Sequence, residues 1–147
     1  MAETQAKAQA KTFKLNILAS DRPFYNGPCE MLVFPGMDGE MGVLPRHEVM
    51  VTCTSEGELR YKVDGEWYYA AVSSGIIEIM PDSVTLLADT AERPEEIDIK
   101  RAQEAEERAK EAMRQKQSIK EYYQTQAALN RAISRLKVSG HTHRKNS

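Results

Sequence analysis

Ala91-Glu92-Arg93-Pro94-Glu95 divides the chain into two halves with different hydrophobic periods. Upstream, Phe13, Leu15 and Ile17 alternate with Lys14 and Asn16, the period-two pattern of a strand with one buried face. Met31 to Phe34, Val49 to Thr54, Leu59 to Val63, Trp67 to Val72, Ile76 to Met80 and Val84 to Leu87 read as further strands, spaced as a β-sandwich requires. Asp64-Gly65 predicts a hairpin turn, and Asn26-Gly27-Pro28 predicts another turn that needs positive φ. Along Trp67, Tyr68 and Tyr69 the alternation buries either Tyr68 or its two neighbours as core. Gly36, Gly39 and Gly42 precede strand-like sequence rather than a helix, so they read as turn glycines and not as a phosphate loop.

Downstream, glycine and aromatic residues thin out, and alanine and charged residues run to Leu136, as in helices. Pro94 suits a first helical position, and Glu95 and Glu96 set negative charge at the positive end of the helix dipole. Ser118-Ile119-Lys120-Glu121 is a capping box that opens a second helix, so two helices join near Gln115 to Gln117 and pack antiparallel. The first helix carries Ala102, Ala105, Ala109 and Ala112 along its seam. At about 0.8 kcal/mol per methylene-sized group such a seam contributes a few kcal/mol. Ordering the backbone costs roughly 1–2 kcal/mol per residue. The hairpin therefore needs the sandwich, or another protein, to hold it. Ile119, Tyr122, Leu129, Ile133 and Leu136 form a stripe on the second helix, interrupted by Gln126, that serves as core or is offered to another surface in turn. The expected class is α+β, mostly β. A disordered N-terminal arm (1–11) is followed by an antiparallel β-sandwich (12–91), an antiparallel two-helix hairpin (92–137) and a disordered polar tail (138–147).

With 20 basic and 22 acidic side chains in 147 residues, the formal charge of -2 points to neither nucleic acid nor an anionic membrane. The first dozen residues lack the apolar core of a signal peptide, and no long apolar run follows. The expected compartment is the cytosol, with membrane association only through a partner. Cys29 and Cys53 lie far apart in strand-like surroundings and read as buried reduced thiols. His47 has no partner at catalytic or metal-binding spacing, and His141 and His143 fall in the polar tail. No nucleophile, base or metal cluster stands at a workable spacing, which argues against an enzyme.

Several stretches, taken in order and spacing, resemble the epsilon subunit of bacterial F-type ATP synthases. They are Phe13-Lys14-Leu15-Asn16-Ile17, Tyr25-Asn26-Gly27, Gly39-Glu40-Met41-Gly42-Val43-Leu44-Pro45-Arg46-His47, Ser74-Gly75-Ile76-Ile77-Glu78-Ile79, Val84 to Glu92, Ile97-Asp98-Ile99-Lys100-Arg101-Ala102, and Leu129-Asn130-Arg131-Ala132 with Arg135-Leu136. The resemblance implies a non-catalytic rotor subunit that couples proton transport to ATP synthesis. Its sandwich would join the gamma subunit of the stalk to the membrane ring subunits. In that family the hairpin extends toward the catalytic head of alpha and beta subunits and restrains ATP hydrolysis, or folds down and permits rotation. A peripheral place on the cytoplasmic face of the membrane follows. Glu40 and His47 lie on the loop that, by resemblance, faces the ring; the same loop also reads as a solvent-exposed turn.

Arg101 and Arg108 share one helix face, and Arg131 and Arg135 another. Antiparallel pairing brings Arg101 opposite Arg131 and Asp98 close to Arg135, and converging guanidiniums suit phosphate oxygens. In ATP-binding members of the resembled family, Ile/Leu-Asp-x-x-Arg-Ala belongs to the nucleotide site. Carried over by position, Glu92, Ile97, Asp98, Arg101, Ala102, Arg108, Arg131 and Arg135 line it, with Gln124 where those members carry a further arginine. ATP would then be a regulatory ligand. The other open reading makes these residues solvated salt bridges, Asp98 with Arg101 and Arg135, and Glu104 with Arg108. A free-standing nucleotide sensor without a rotor partner is the alternative function.

Overall fold

The alternating apolar residues of the N-terminal half turn inward together. A computed structural model describes residues 11–115 and 118–145, with side chains as far as His141. Its strands are β1 (Phe13–Ala19), β2 (Pro23–Cys29), β3 (Met31–Gly36), β4 (Gly39–Val43), β5 (Met50–Thr54), β6 (Gly57–Val63), β7 (Glu66–Val72), β8 (Gly75–Ile79), β9 (Ser83–Ala88) and β10 (Ala91–Glu92). They form one sheet in the order β10-β7-β6-β3-β5-β8-β9-β1-β2, with β4 beside β3. Neighbours run antiparallel except β1 and β9, which are parallel. The sheet folds over itself, so that Leu15, Ile17, Phe34, Leu59, Ile77 and Leu86 meet in one core.

Arginines draw the two free edges, β10 and β2, together. Arg93 donates from Nη2 to the Phe24 carbonyl at 2.6 Å, and its guanidinium lies 4.3 Å over the Phe24 ring. Arg22 donates to the Ala91 carbonyl at 3.3 Å and pairs with Glu96 at 2.7 Å. The hydrogen bond from Arg22 is the main reason that the Glu96 carboxyl is held below the ordinary carboxylate range.

Two turn expectations separate here. Asp64 and Gly65 adopt φ of 50° and 79°, the pair of positive values that a tight hairpin between β6 and β7 requires. Asn26-Gly27-Pro28, by contrast, is not a turn but part of β2. Because β2 closes one end of the sheet and pairs only with β1 along it, a proline there costs little ladder bonding. The Tyr25 ring covers Gly27, where a Cβ would stand 2.9 Å from the tyrosine oxygen, and its hydroxyl donates to the Pro28 carbonyl at 2.6 Å. The chain instead reverses over Ser20 to Arg22, with the Ala19 amide donating to the Arg22 carbonyl.

Cys29 is buried, and burial pushes its thiol up to about 11, which leaves it inert. Cys53 is exposed, against expectation. In β5 the threonines face inward, with Thr54 buried, and Val51 and Cys53 face out. Cys53 aligns with Ile76 of β8, which aligns with Leu87 of β9, so an apolar strip crosses the outer face of three strands. Tyr68 shares the inner side with Tyr61, stacking at 5.6 Å between centroids, although it sits at the open end and is partly exposed. Trp67 and Tyr69 point the other way and are half-buried.

A 3-10 turn at Pro94–Glu96 precedes helix α1 (Ile99–Met113), and α2 covers Ile119–Lys145. The helix thus starts later than Pro94. Asp98 is its N-cap, accepting from the Arg101 amide at 3.1 Å. The capping box forms as expected, with the Glu121 amide donating to Ser118 Oγ at 3.2 Å and the Ser118 amide to Glu121 Oε2 at 3.4 Å. The expected disordered tail over 138–147 is corrected: α2 continues through it to Lys145, because Val138 is fully buried and His141 meets the sheet. The expected arm over 1–11 lies, apart from Lys11, outside the described residues.

Glycine positions give a direct check on this packing. A Cβ on Gly75 would collide with the Leu87 carbonyl, whereas one on Gly140 of α2 meets open space. Gly75→Ala should lower the denaturant-derived stability by about 1–3 kcal/mol. Gly140→Ala should raise it by up to about 1 kcal/mol.

Candidate functional site

Where α2 crosses the sheet, the outward residues of β6 and β7 decide what it meets. Glu58 points out from β6, and Tyr69 and Ala71 from β7. Ala71 is small enough to let the helix approach, and Val138 of α2 fills the space against Ala71 and Ile97, with Tyr69 packed beside them. Around this small apolar cluster the contacts are polar. Arg131 pairs with Glu56 at 3.0 Å, and His141 Nε2 lies 2.8 Å from Glu58 Oε2 with its ring stacked on Tyr69. Arg135 approaches Glu92 with Nη2 at 3.0 Å and Nε at 2.9 Å. Nε is close in distance but poorly aligned, so it gains charge proximity rather than a directed bond. Ser139 turns its hydroxyl back to the Leu136 carbonyl at 2.7 Å and so is satisfied although buried.

The two helices meet along small residues. Ala102 and Ala109 of α1 and Ala132 of α2 are buried, and Ala105 and Ala112 are half-buried. The apolar stripe of α2 is only partly covered: Ile119 is 78% exposed, Ile133 44% and Tyr122 42%, while Leu129 and Leu136 are half-buried.

The residues assigned to an anion site are only partly brought together. Glu92, Arg131 and Arg135 line one cleft of about 30 Å³ with Ser73, Thr90 and Ser134, room for a water and not for a nucleotide. Both arginines there are already neutralised by carboxylates of the sandwich side. Asp98 does not pair with Arg135 as expected, because its carboxylate caps α1. Ile97 and Ala102 are buried, the first under Val138. Arg101 is exposed and, among the described residues, makes no ion pair. Arg108 lies on a shallow groove of about 360 Å³ with Ala105, Ala109, Ala112, Gln124, Thr125 and Ala128. Its expected pairing with Glu104 is absent among the described residues, and Glu106 instead bridges to Lys110 at 3.0 Å.

On the loop side, Glu40 of β4 pairs with Arg60 at 3.1 Å, and His47 Nδ1 lies 2.8 Å from the Glu48 carbonyl. Arg46 holds a left-handed φ of 65° just before it. Sequence reasoning missed Glu56, Glu58, Tyr69 and Val138 and assigned His141 to a tail. The row of charges at Glu56, Glu58, Arg60 and Lys62 on one strand face was a usable signal.

Comparison with known proteins matches both halves. Residues 12–94 fit the family described as ATP synthase, Delta/Epsilon chain, beta-sandwich domain, and residues 95–140 fit ATP synthase, Delta/Epsilon chain, long alpha-helix domain. The chain belongs to the ATP synthase delta/epsilon family. The ATP synthase epsilon chain of Ruminiclostridium cellulolyticum is 47% identical over 128 residues, covering 87% of this chain and 96% of that one. That of Caldanaerobacter subterraneus is 45% identical over 130 residues, covering 88% and 94%. The fold is shared with a chain in the cryo-EM structure of the Euglena gracilis mitochondrial ATP synthase, with a TM-score of 0.77, 24% identity and coverage of 89% and 82%. As a bacterial-type epsilon chain it is a non-catalytic subunit.

Val138 is the apolar centre of the docking contact. Val138→Asp puts an unpaired charge there and should cost more than about 2 kcal/mol locally. The measurable result is faster amide exchange over 129–141 with the sandwich amides unchanged.

Proposed function

We propose that this chain works in the central rotor stalk, coupling proton transport to ATP synthesis, and that its hairpin leaves the sandwich to restrain ATP hydrolysis. The observation that carries this reading is the mismatch on α2. Its apolar residues Ile119, Tyr122 and Ile133 stay largely in water, while among the described residues one fully buried valine and three polar contacts hold the helix to the sheet. A helix so mounted can exchange one docking surface for another at small net cost. The extended position would bring the stripe against the alpha and beta subunits of the catalytic head.

The outer strip of Val49, Val51, Cys53, Ile76 and Leu87 supports the gamma subunit as a partner, since contiguous apolar surface on a small domain favours burial in an interface. Glu40 and His47 are assigned to contact with the membrane ring subunits. No helix among the described residues is long and apolar enough to cross a membrane. A peripheral place on the cytoplasmic face is reached through these partners. ATP is assigned as a regulatory ligand of the folded hairpin. Its phosphates would take over Arg131 and Arg135 from Glu56 and Glu92 and draw in Arg101 and Arg108, tying both helices together.

Two measurements test this. Cysteines replacing Ala71 and Val138, which meet in the folded state, should relieve inhibition of hydrolysis several-fold in the assembled complex when oxidised and restore it when reduced. Hydrolysis indifferent to the crosslink discards the moving hairpin. Separately, millimolar ATP should raise the melting temperature of the isolated chain by a few degrees, and Arg101→Ala should abolish the gain. An unchanged wild-type melting curve removes the nucleotide site while leaving the hairpin reading intact.

A further inference from the structure

We propose that His141, Glu58 and Tyr69 form a proton-sensitive clasp on the far end of α2, tight when the imidazole is charged and loose when it is neutral. This rests on the movable-hairpin reading above. His141 Nε2 stands 2.8 Å from Glu58 Oε2, with the two side chains 16% and 7% exposed. The imidazole lies flat on Tyr69, at 3.6 Å between centroids and 9° between planes, so the ring has one orientation and its nitrogen is aimed at the carboxylate. Tyr69 in turn packs on the cluster of Ala71, Ile97 and Val138 that centres the docked helix.

The other two charge contacts across this boundary use Arg131 and Arg135, and guanidiniums keep their charge throughout the physiological range. A histidine does not, because imidazoles ordinarily titrate between about pH 5 and 8. Charged, His141 supplies Glu58 with a counter-ion in a spot that water scarcely reaches. Neutral, it offers a hydrogen bond at most, and the carboxylate stays withdrawn from water without compensation.

Among the described residues, the surrounding charges do not substitute for it. On β6, Arg60 lies along the same face and is committed to Glu40. On β7 the neighbour is the Tyr69 phenol. The 3-10 turn that α2 also touches contributes Glu95, which is acidic, and Glu96, which is tied to Arg22 and Arg93. On α2 itself Lys137 is exposed one turn back. Docking should therefore be strongest where the imidazole carries its proton and weaken as pH rises. The clasp sits near the end of the helix remote from the hairpin turn.

The test uses the full chain with a dye pair at the exposed Cys53 and at Ile133→Cys, in a Val138→Ala background that brings docked and released states into a readable ratio. From pH 6 to pH 8 the docked-to-released ratio should fall by about 3- to 10-fold. In His141→Gln and in Glu58→Gln it should be flat. The same slope in His141→Gln overturns the clasp, as does a flat profile in the unaltered clasp. An Arg131→Ala, Arg135→Ala pair separates the two ideas. If that pair releases the helix while the parent stays pH-flat, the clasp alone fails; if no variant or pH releases it, the movable hairpin fails with it.

Discussion

Among the described residues, one fully buried valine of α2 joins the helical pair to the sandwich, and that scarcity of apolar contact sets how firmly the two are held together. Burying one such side chain is worth about 1.5–3 kcal/mol. The two arginine contacts beside it are partly exposed and add modestly. The sandwich core, by contrast, gathers large side chains such as Phe34, Leu15 and Ile77 with no exposure at all. The two halves therefore differ in stability by construction. The sheet carries the large core, and the helices rest on it through a small contact.

The chain closes its sheet with charge where a barrel would use hydrogen-bonded strands. Arg93 spans from the 3-10 turn to β2 through both its guanidinium fork and the Phe24 ring, and Arg22 reaches back to the Ala91 carbonyl. Glu96 then serves Arg22 and the Arg93 amide together. The strap stabilises the start of the helical segment without help from the helices, so undocking of α2 need not open the sandwich.

Signals settled by near neighbours are legible in the sequence, and signals that depend on distant partners are not. Asp64-Gly65 and the Ser118 to Glu121 box each contain their own physics, since positive φ and reciprocal capping are settled within four residues. Asn26-Gly27-Pro28 has turn composition, but its position at the sheet end and the Tyr25 ring above Gly27 make a strand of it. Val138 to His141 looks like polar tail because its partners, Ala71, Ile97, Tyr69 and Glu58, lie 41 to 83 positions upstream. Helical spacing correctly put Arg131 and Arg135 on one face. It had no access to which carboxylates would meet them, and Glu56 sits in a part of the chain that helical periodicity never touches.

The strap ends at Glu96 and helical bonding begins with the Asp98 carbonyl, which accepts from Ala102 at 3.0 Å. Between them Ile97 and Asp98 are extended, with ψ of 124° and 101°. In the proposed movement these two torsions are the pivot, and α2 spans about 40 Å at 1.5 Å per residue. A rotation of some tens of degrees there would sweep a distant helix end through tens of ångströms, so a side chain no larger than isoleucine becomes the fulcrum of a long lever.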